Sequence, residues 1–125
     1  MRYFLLCLFI ITALSACSTT GGLRQTDPTM VKTYDGNFKK MASCVAEKVD
    51  EKFQMTVSLR INEENKYAHV FMVNLDSGNT RWDFLFKQDG QKNKVIVESR
   101  GMITVSGRGG YPKLIWPLVD QCAAE

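Results

Sequence analysis

Four cysteines and a single histidine are the side chains of this 125-residue chain that offer the widest chemistry. They are Cys7, Cys17, Cys44, Cys122 and His69. Thiols form disulfides, act as nucleophiles or, together with imidazoles, bind zinc. No two of these cysteines form a CxxC pair, the spacing usual for redox dithiols and structural zinc sites. The chemistry expected of each cysteine therefore depends on the sequence around it.

Cys17 ends an apolar N-terminal segment. One positive charge, on Arg2, precedes the run LLCLFIITAL of residues 5–14. This run is too short to cross a bilayer core of about 30 Å comfortably, and it suits the apolar part of a secretion signal. Small residues then lead to Leu14-Ser15-Ala16-Cys17, which resembles the lipobox of bacterial lipoproteins.

The lipobox resemblance implies that residues 1–16 are a signal peptide and that Cys17 carries acyl chains such as palmitate. Ser18-Thr19-Thr20 follows, without the aspartate that tends to retain such lipoproteins in the inner membrane. An outer-membrane anchor is therefore expected, with the domain in the periplasm or at the cell surface. The resemblance covers only this N-terminal segment. The alternative is an ordinary signal peptide that ends at a chance cysteine.

The two cysteines beyond this segment, Cys44 and Cys122, form one even pair. In the oxidising compartment that a signal peptide implies, such a pair predicts a disulfide. A zinc site would need four ligands, and only His69 could join these two thiols, so no metal and no cofactor is expected. Two free buried thiols are the alternative.

The remaining polar residues give little sign of catalysis. His69 lies in mid-strand between Tyr67 and Phe71, without a recognisable nucleophile context. The carboxylates are scattered, and periodicity brings no two of them to one cleft. We therefore predict no catalytic residue and no enzymatic activity. The formal net charge of +3 is weakly basic, so nucleic acid is not expected as a partner.

A glycine-rich stretch, SGRGGYP at residues 106–112, is a candidate binding loop through Arg108 and Tyr111. Its backbone amides could cradle an anion, but it lacks the GK[ST] ending of a nucleotide loop. A flexible connection is the favoured interpretation. The stretch also resembles a glycine-containing loop of membrane-bound lysozyme inhibitors. Those inhibitors are all-β barrels, so the resemblance implies only an alternative function, inhibition of a lysozyme-type hydrolase.

The elements that position these residues follow from periodicity. Residues 17–33 lack an apolar period and are expected to be a lipidated, flexible tether before a single domain over residues 34–125. Within residues 35–53, apolar residues from Phe38 to Phe53 recur at steps of three and four and predict a helix capped by Asp35. A second, short helix is expected at about Pro117–Ala124, because proline is tolerated in a first turn.

Alternating apolar residues predict four strands between the helices, at about 54–62, 66–74, 80–88 and 94–100. Short turns join them into an antiparallel meander. Residues 102–106 either extend this sheet or add a fifth strand. The expected fold is an α+β two-layer sandwich with both helices on one face of the sheet.

The other face of the sheet is the candidate binding face. Alternation places on it Arg60, Tyr67, His69, Phe71, Val73, Arg81, Leu85, Ile96 and Arg100. A mixture of arginines with aromatic and aliphatic residues is typical of interaction surfaces. Scattered apolar residues of no consequence, or residues 102–106 folded over the face, are the alternatives. We therefore expect a non-catalytic binding or envelope-assembly module, whose partner is an envelope protein or polymer, or a second copy of the chain.

Overall fold

A computed structural model describes residues 23–73, 80–90, 93–101 and 110–125. Within them the elements, in chain order, are β1 Met30–Asp35, α1 Phe38–Phe53, β2 Ser58–Asn62, β3 Tyr67–Val73, β4 Thr80–Asp89, β5 Lys94–Gly101 and α2 Gly110–Ala124. All strand pairs are antiparallel, in the order β1-β5-β4-β3-β2. The predicted α+β class is confirmed, as is the meander from β2 to β5.

The sheet of the described residues has a strand that the sequence did not predict. β1 begins at Met30, inside the segment expected to be a tether, and pairs with β5 from Met30↔Ser99 to Asp35↔Lys94. β1 is an edge strand on which only Lys32 and Tyr34 are half-buried. Because these are long amphipathic side chains and not aliphatic ones, the strand shows no clear apolar alternation. The ordered domain therefore extends further towards the N-terminus than residue 34.

The first helix follows the predicted stripe but begins differently. The side chain of Asn37 accepts hydrogen bonds from the backbone N–H groups of Lys39 (3.0 Å) and Lys40 (3.1 Å). Asn37 is therefore the N-cap, and Asp35, the predicted cap, ends β1. The helix ends at Phe53, and the C-cap residue Gln54 has a left-handed backbone and donates its N–H to the Asp50 carbonyl. The buried residues of α1 are Phe38, Met41, Ala42, Val45 and Val49.

The last helix is longer than predicted, because it begins at Gly110 and not near Pro117. Pro112 lies in the first turn, where a missing N–H costs little. Pro117 lies inside the helix, where it removes one backbone hydrogen bond. The helix continues through Pro117 because its flanking residues, Trp116 and Leu118, are buried in the core. Tertiary packing therefore outweighs the local preference.

Both helices pack on one face of the sheet, as predicted. Val70, Phe84 and Val97 lie on neighbouring strands of this face and share one core with the helices. Phe84 makes edge contacts with Trp82 and with Trp116 of α2, at ring-centroid distances of 6.0 and 5.2 Å.

The predicted disulfide is confirmed. Cys44 of α1 is bonded to Cys122 of α2, with 5.9 Å between the two Cα atoms. Cys122 is buried, and Cys44 lies at the edge of the core. The bond joins the two helices through cysteines that are 78 residues apart in sequence.

The strand expected at residues 54–62 is shorter than predicted and begins at Ser58. Met55 and Val57 precede it, yet they still pack against the core. Leu59 points to the helix side but is 37 % exposed, because β2 is the other edge of the sheet. Apolar alternation therefore continues further than the strand pairing does.

Candidate functional site on the outer face of the sheet

The outer face is the side of the sheet that points away from α1 and α2. Directly opposed residues of antiparallel strands point to the same side, so the register arranges this face in rows across the strands. The first row contains Ser58, Phe71, Asp83 and Arg100. The second row contains Arg60, His69, Leu85, Glu98 and Val31. The third row contains Asn62, Tyr67, Lys87, Ile96 and Thr33.

The register brings most residues of the predicted binding face into these three rows. Arg81 is exposed and adjoins the core residue Trp82, so alternation places it on the outer face as well. Val73 lies at a bulge, where the pairing of β3 with β4 shifts. The alternative that residues 102–106 cover this face lies outside the described residues.

A short segment before β1 crosses the first row, and we call these residues, 23–29, the strap. Leu23 at its start is buried. The Arg100 Nε group donates a 2.8 Å hydrogen bond to the Thr26 carbonyl, and the Arg24 guanidinium lies 5.1 Å from the centre of the Phe71 ring. Phe71 is only 2 % exposed as a result, so the expectation that it lies open on the binding face is wrong. The strap belongs to the segment predicted to be a free tether.

A histidine–aspartate pair lies beneath the strap. The Nδ1 atom of His69 is 2.8 and 3.0 Å from the two carboxylate oxygens of Asp83. Asp83 is fully buried and His69 nearly so. Because a carboxylate only accepts, Nδ1 carries the proton, and in the neutral ring Nε2 is then the atom with the lone pair. The pair fixes the orientation of the imidazole.

Sequence reasoning missed Asp83. This residue is the one acid within the aromatic strand TRWDFLFKQ, at a position where alternation expects a solvated polar side chain. The sequence did contain a signal, because pairing the two neighbouring strands places Asp83 diagonally opposite His69. A mid-strand acid next to a histidine on the neighbouring strand predicts a pair.

A second cluster of charged side chains, centred on Glu98, connects the three rows. The Glu98 carboxylate accepts hydrogen bonds from Lys87 Nζ (3.1 Å) and Arg100 Nη1 (3.2 Å). Burial alone would raise the pKa of Glu98, but the hydrogen bonds and positive charges of Lys87 and Arg100 outweigh it and hold the pKa below the ordinary value. Glu98 is therefore ionised at neutral pH, and the positive charge of both partners is offset.

The arginines near the strap are less fully paired. The Arg60 guanidinium lies 5.5 Å from the Phe71 ring centre. Arg60 and Arg81 are exposed, and neither forms an ion pair with any residue that the structure describes. Arg24 forms an ion pair with the buried Asp83, with 3.6 Å between Nε and Oδ1, although its buried Nε and Nη2 atoms have no hydrogen-bond partner in the described part of the chain.

The rows further from the strap contain an apolar region, which we call the open region: Val31, Tyr67, Leu85 and Ile96. Val31 is 49 % exposed, and the other three residues are half-buried. Tyr67 makes an edge contact with the His69 ring at 5.5 Å. The open region therefore adjoins the buried pair on one side and the β1 edge on the other.

The other candidate residues lie elsewhere. Arg108 falls outside the described residues, and Tyr111 is an exposed residue in the first turn of α2. A polar groove of about 680 Å³ lies at the start of α1, where Lys39 Nζ is 2.6 Å from Glu63 and the Phe38 N–H donates to Gln88. These features do not extend the site on the outer face.

Within the described residues, no three His, Cys, Asp or Glu side chains are arranged to hold a metal ion. Neither described helix is long and apolar enough to cross a bilayer. No family model, curated protein or solved structure matches this chain.

Proposed function

We propose that this protein is an outer-membrane lipoprotein, anchored by acyl chains on Cys17, whose domain is a non-catalytic binding or envelope-assembly module. The lipobox-like Leu14-Ser15-Ala16-Cys17 supports the anchor. The disulfide supports an oxidising compartment, because such bonds persist in the periplasm and outside the cell and are rare in the cytosol.

The observation that carries the binding role is the one-sided packing of the sheet. Both helices cover the same face, and on the opposite face the residues of the open region are interspersed with the paired charges of Lys87, Glu98 and Arg100. Partly exposed apolar residues among satisfied polar groups are a composition found in protein interfaces. The open region therefore favours a protein of the envelope, or a second copy of the chain, as the partner.

The side chains with catalytic potential are already engaged in ways that favour a binding role. Both cysteines of the described domain are in the disulfide, so neither supplies a thiolate. His69 lies under the strap with its side chain 11 % exposed, and its Nδ1 is occupied by Asp83. The pair holds the strap end of the face rigid, which preorganises a binding surface.

Photo-crosslinking in the native envelope tests this role. We expect a photoreactive residue at Leu85 or Ile96 to give a discrete adduct, with a second copy or with another envelope protein. The matched control positions are Lys40 and Lys113, which are exposed on the helices. Adducts of the same pattern from the control positions, or none from the outer face, would contradict the proposed binding surface.

The alternative, inhibition of a lysozyme-type hydrolase, stays a prediction. It depends on Arg108, which lies outside the described residues, and on Tyr111, which is exposed on α2. A lysozyme activity assay with the purified domain, with and without an Arg108→Ala change, separates it from the proposed role. Unchanged lysozyme turnover would remove the inhibitor alternative.

A further inference from the structure

The edge strand β1 has backbone groups that point away from the sheet. In the described sheet it is the last strand and pairs with β5 alone. The Gly36 N–H donates to the Asn93 carbonyl at 2.8 Å, in line with the β1–β5 register. Backbone direction alternates along an antiparallel strand, so Val31, Thr33 and Asp35 direct their N–H and C=O groups away from β5. These backbone groups bond to no other residue that the structure describes.

A second hydrogen bond gives the same backbone directions. The Gln88 N–H donates to the Lys66 carbonyl at 2.9 Å, so the even-numbered residues of β4 bond towards β3. Carrying the alternation through the registers of β4 and β5 directs the even-numbered residues of β1 towards β5. The odd-numbered residues are again left on the free side. Two separate bonds therefore identify the groups that a further strand would meet.

β1 lacks the features that ordinarily protect the edge of a sheet. It contains no proline, and its register with β5 runs through six residues without a shift. Lys32 is held along its own domain, with Nζ 3.4 Å from Asp120 and 5.1 Å from the centre of the Trp116 ring. Met30 and Val31 are 43 and 49 % exposed. Such an edge is a template for pairing with another strand.

We propose that β1 pairs with β1 of a second copy, antiparallel about a twofold axis at Thr33. Only residues with free N–H and C=O groups can hydrogen-bond across this edge. An axis at Thr33 uses all of them, because it pairs Thr33 with Thr33, and Val31 with Asp35, of the two copies. The two five-stranded sheets then form one continuous sheet, and their open regions lie side by side. This interface at the edge goes beyond the binding role of the outer face and does not depend on it.

The charges of β1 favour a second copy as the added strand. In this register Lys32 lies opposite Tyr34 of the second copy, and no two like charges are directly opposed. The Tyr34 hydroxyl is 2.6 Å from the Asp120 carboxylate, whose side chain is 52 % exposed. Lys32 of each copy therefore approaches the Asp120 carboxylate of the other. The opposed Thr33 side chains are a favourable cross-strand pair, so β1 is complementary to itself.

Cysteine crosslinking of the full chain, in intact cells treated with a thiol oxidant, tests the register. Two opposed Thr33 residues have Cα atoms about 5.5 Å apart, within the range of a disulfide, so Thr33→Cys should give a linked dimer. Val31→Cys is the matched control, because this residue is exposed on the same side of the same strand. Its two copies lie about 14–15 Å apart and should not link.

Three results of the crosslinking would overturn the proposal. They are equal dimer yields from the two variants, no dimer from Thr33→Cys, and a Thr33→Cys adduct with a different protein. The last result would assign the edge to another partner and reject the second copy.

Opposite charges at the twofold axis test self-pairing without new cysteines. Thr33→Asp opposes two carboxylates and should raise the dimer dissociation constant up to about fivefold, and Thr33→Lys should do the same with two ammonium groups. A mixture of the two variants should associate more tightly than either alone, a rescue that misfolded variants would not give. Leu59→Asp, which places the same charge on the other edge strand, should leave the constant unchanged.

Sedimentation equilibrium of the purified proteins measures these constants. No rescue in the mixture, or an equal loss with Leu59→Asp, would contradict pairing at β1. The photo-crosslinks expected at Leu85 and Ile96 do not use this edge, so a failure here is distinct from a failure of the outer-face role.

Discussion

At the scale of single residues, Glu98 shows how a partly buried charge is kept on the outer face. Its side chain is 15 % exposed and lies between Lys87 and Arg100. The cost of burying the carboxylate is offset by two charge-assisted hydrogen bonds, which are stronger than neutral ones. The net effect is a pKa below the ordinary value of 4.5.

This lowered pKa predicts a pH-dependent effect of Glu98→Gln. A carboxylate with a depressed folded-state pKa stabilises the protein above its unfolded-state pKa, and that stability is lost as the pH falls through the folded-state value. We expect the variant to lose about 1.5–3 kcal/mol in free energy of unfolding near neutral pH, as for a hydrogen bond to a charged group. Urea unfolding should show that the difference from the unmodified protein shrinks below about pH 4.

Glu64→Gln is the matched control, because Glu64 is exposed in the turn between β2 and β3 and has no described partner. Its effect should be small at every pH. A Glu98→Gln difference that persists unchanged in acid would mean that packing, and not the charge, determines the contribution of this residue.

At the scale of elements, the disulfide determines how α2 is held. It links α1 to a helix that contains Pro117 and ends the chain. The chain-entropy model gives about 4.5 kcal/mol of stabilisation for a bond that closes a loop of this length, as an upper figure. This amount is comparable to the lower range of total domain stability, about 5–15 kcal/mol.

We therefore expect Cys44→Ser with Cys122→Ser to lower the free energy of unfolding by up to about 4.5 kcal/mol. Thiol titration of the unfolded, unreduced domain should find no free thiol in the unmodified protein. The reduced unmodified protein is the control, because it should match the double variant in stability. Two reactive thiols before reduction would rule out the bond.

The elements also show what periodicity can and cannot predict. The stripe of α1 was predictable because five buried positions recur at helical spacing. β1 was not, because its half-buried residues, Lys32 and Tyr34, are held by Asp120 of α2 at 3.4 and 2.6 Å and not by aliphatic packing. Burial and the hydrogen bond between Tyr34 and Asp120 raise the pKa of the Tyr34 hydroxyl. The start of α2 was hidden by two prolines that ordinarily interrupt helices.

At the scale of the whole molecule, both helices cover one face of the sheet, and the outer face carries a mixture of polar and apolar residues. Strand alternation was enough to predict which residues point outward, among them His69 and Leu85, since a period of two fixes side-chain direction. It could not predict which of them are covered. Phe71 is buried by the strap, whose contacts join residues near 24 to strands far along the chain. Sequence spacing carries no signal for such long-range contacts, apart from the lone apolar Leu23.

The strap also changes the expected relation of the domain to the membrane. The strap contacts the domain from Leu23 onward, so the chain between Cys17 and the strap can span at most about 20 Å. Under the proposed anchor, the domain is therefore held nearer to the lipid than a tether over residues 17–33 would hold it. In that proposal, the location of the protein depends on Cys17.

Intact-mass and N-terminal peptide measurements on the protein isolated from membranes test most directly whether the location of the protein depends on Cys17. We predict a mature chain that begins at Cys17, carries the added mass of acyl chains and partitions into detergent, and a Cys17→Ser protein that lacks both the cleavage and the lipid mass. A mature chain with an unmodified Cys17, or a Cys17→Ser protein with unchanged processing and membrane fractionation, would contradict the account.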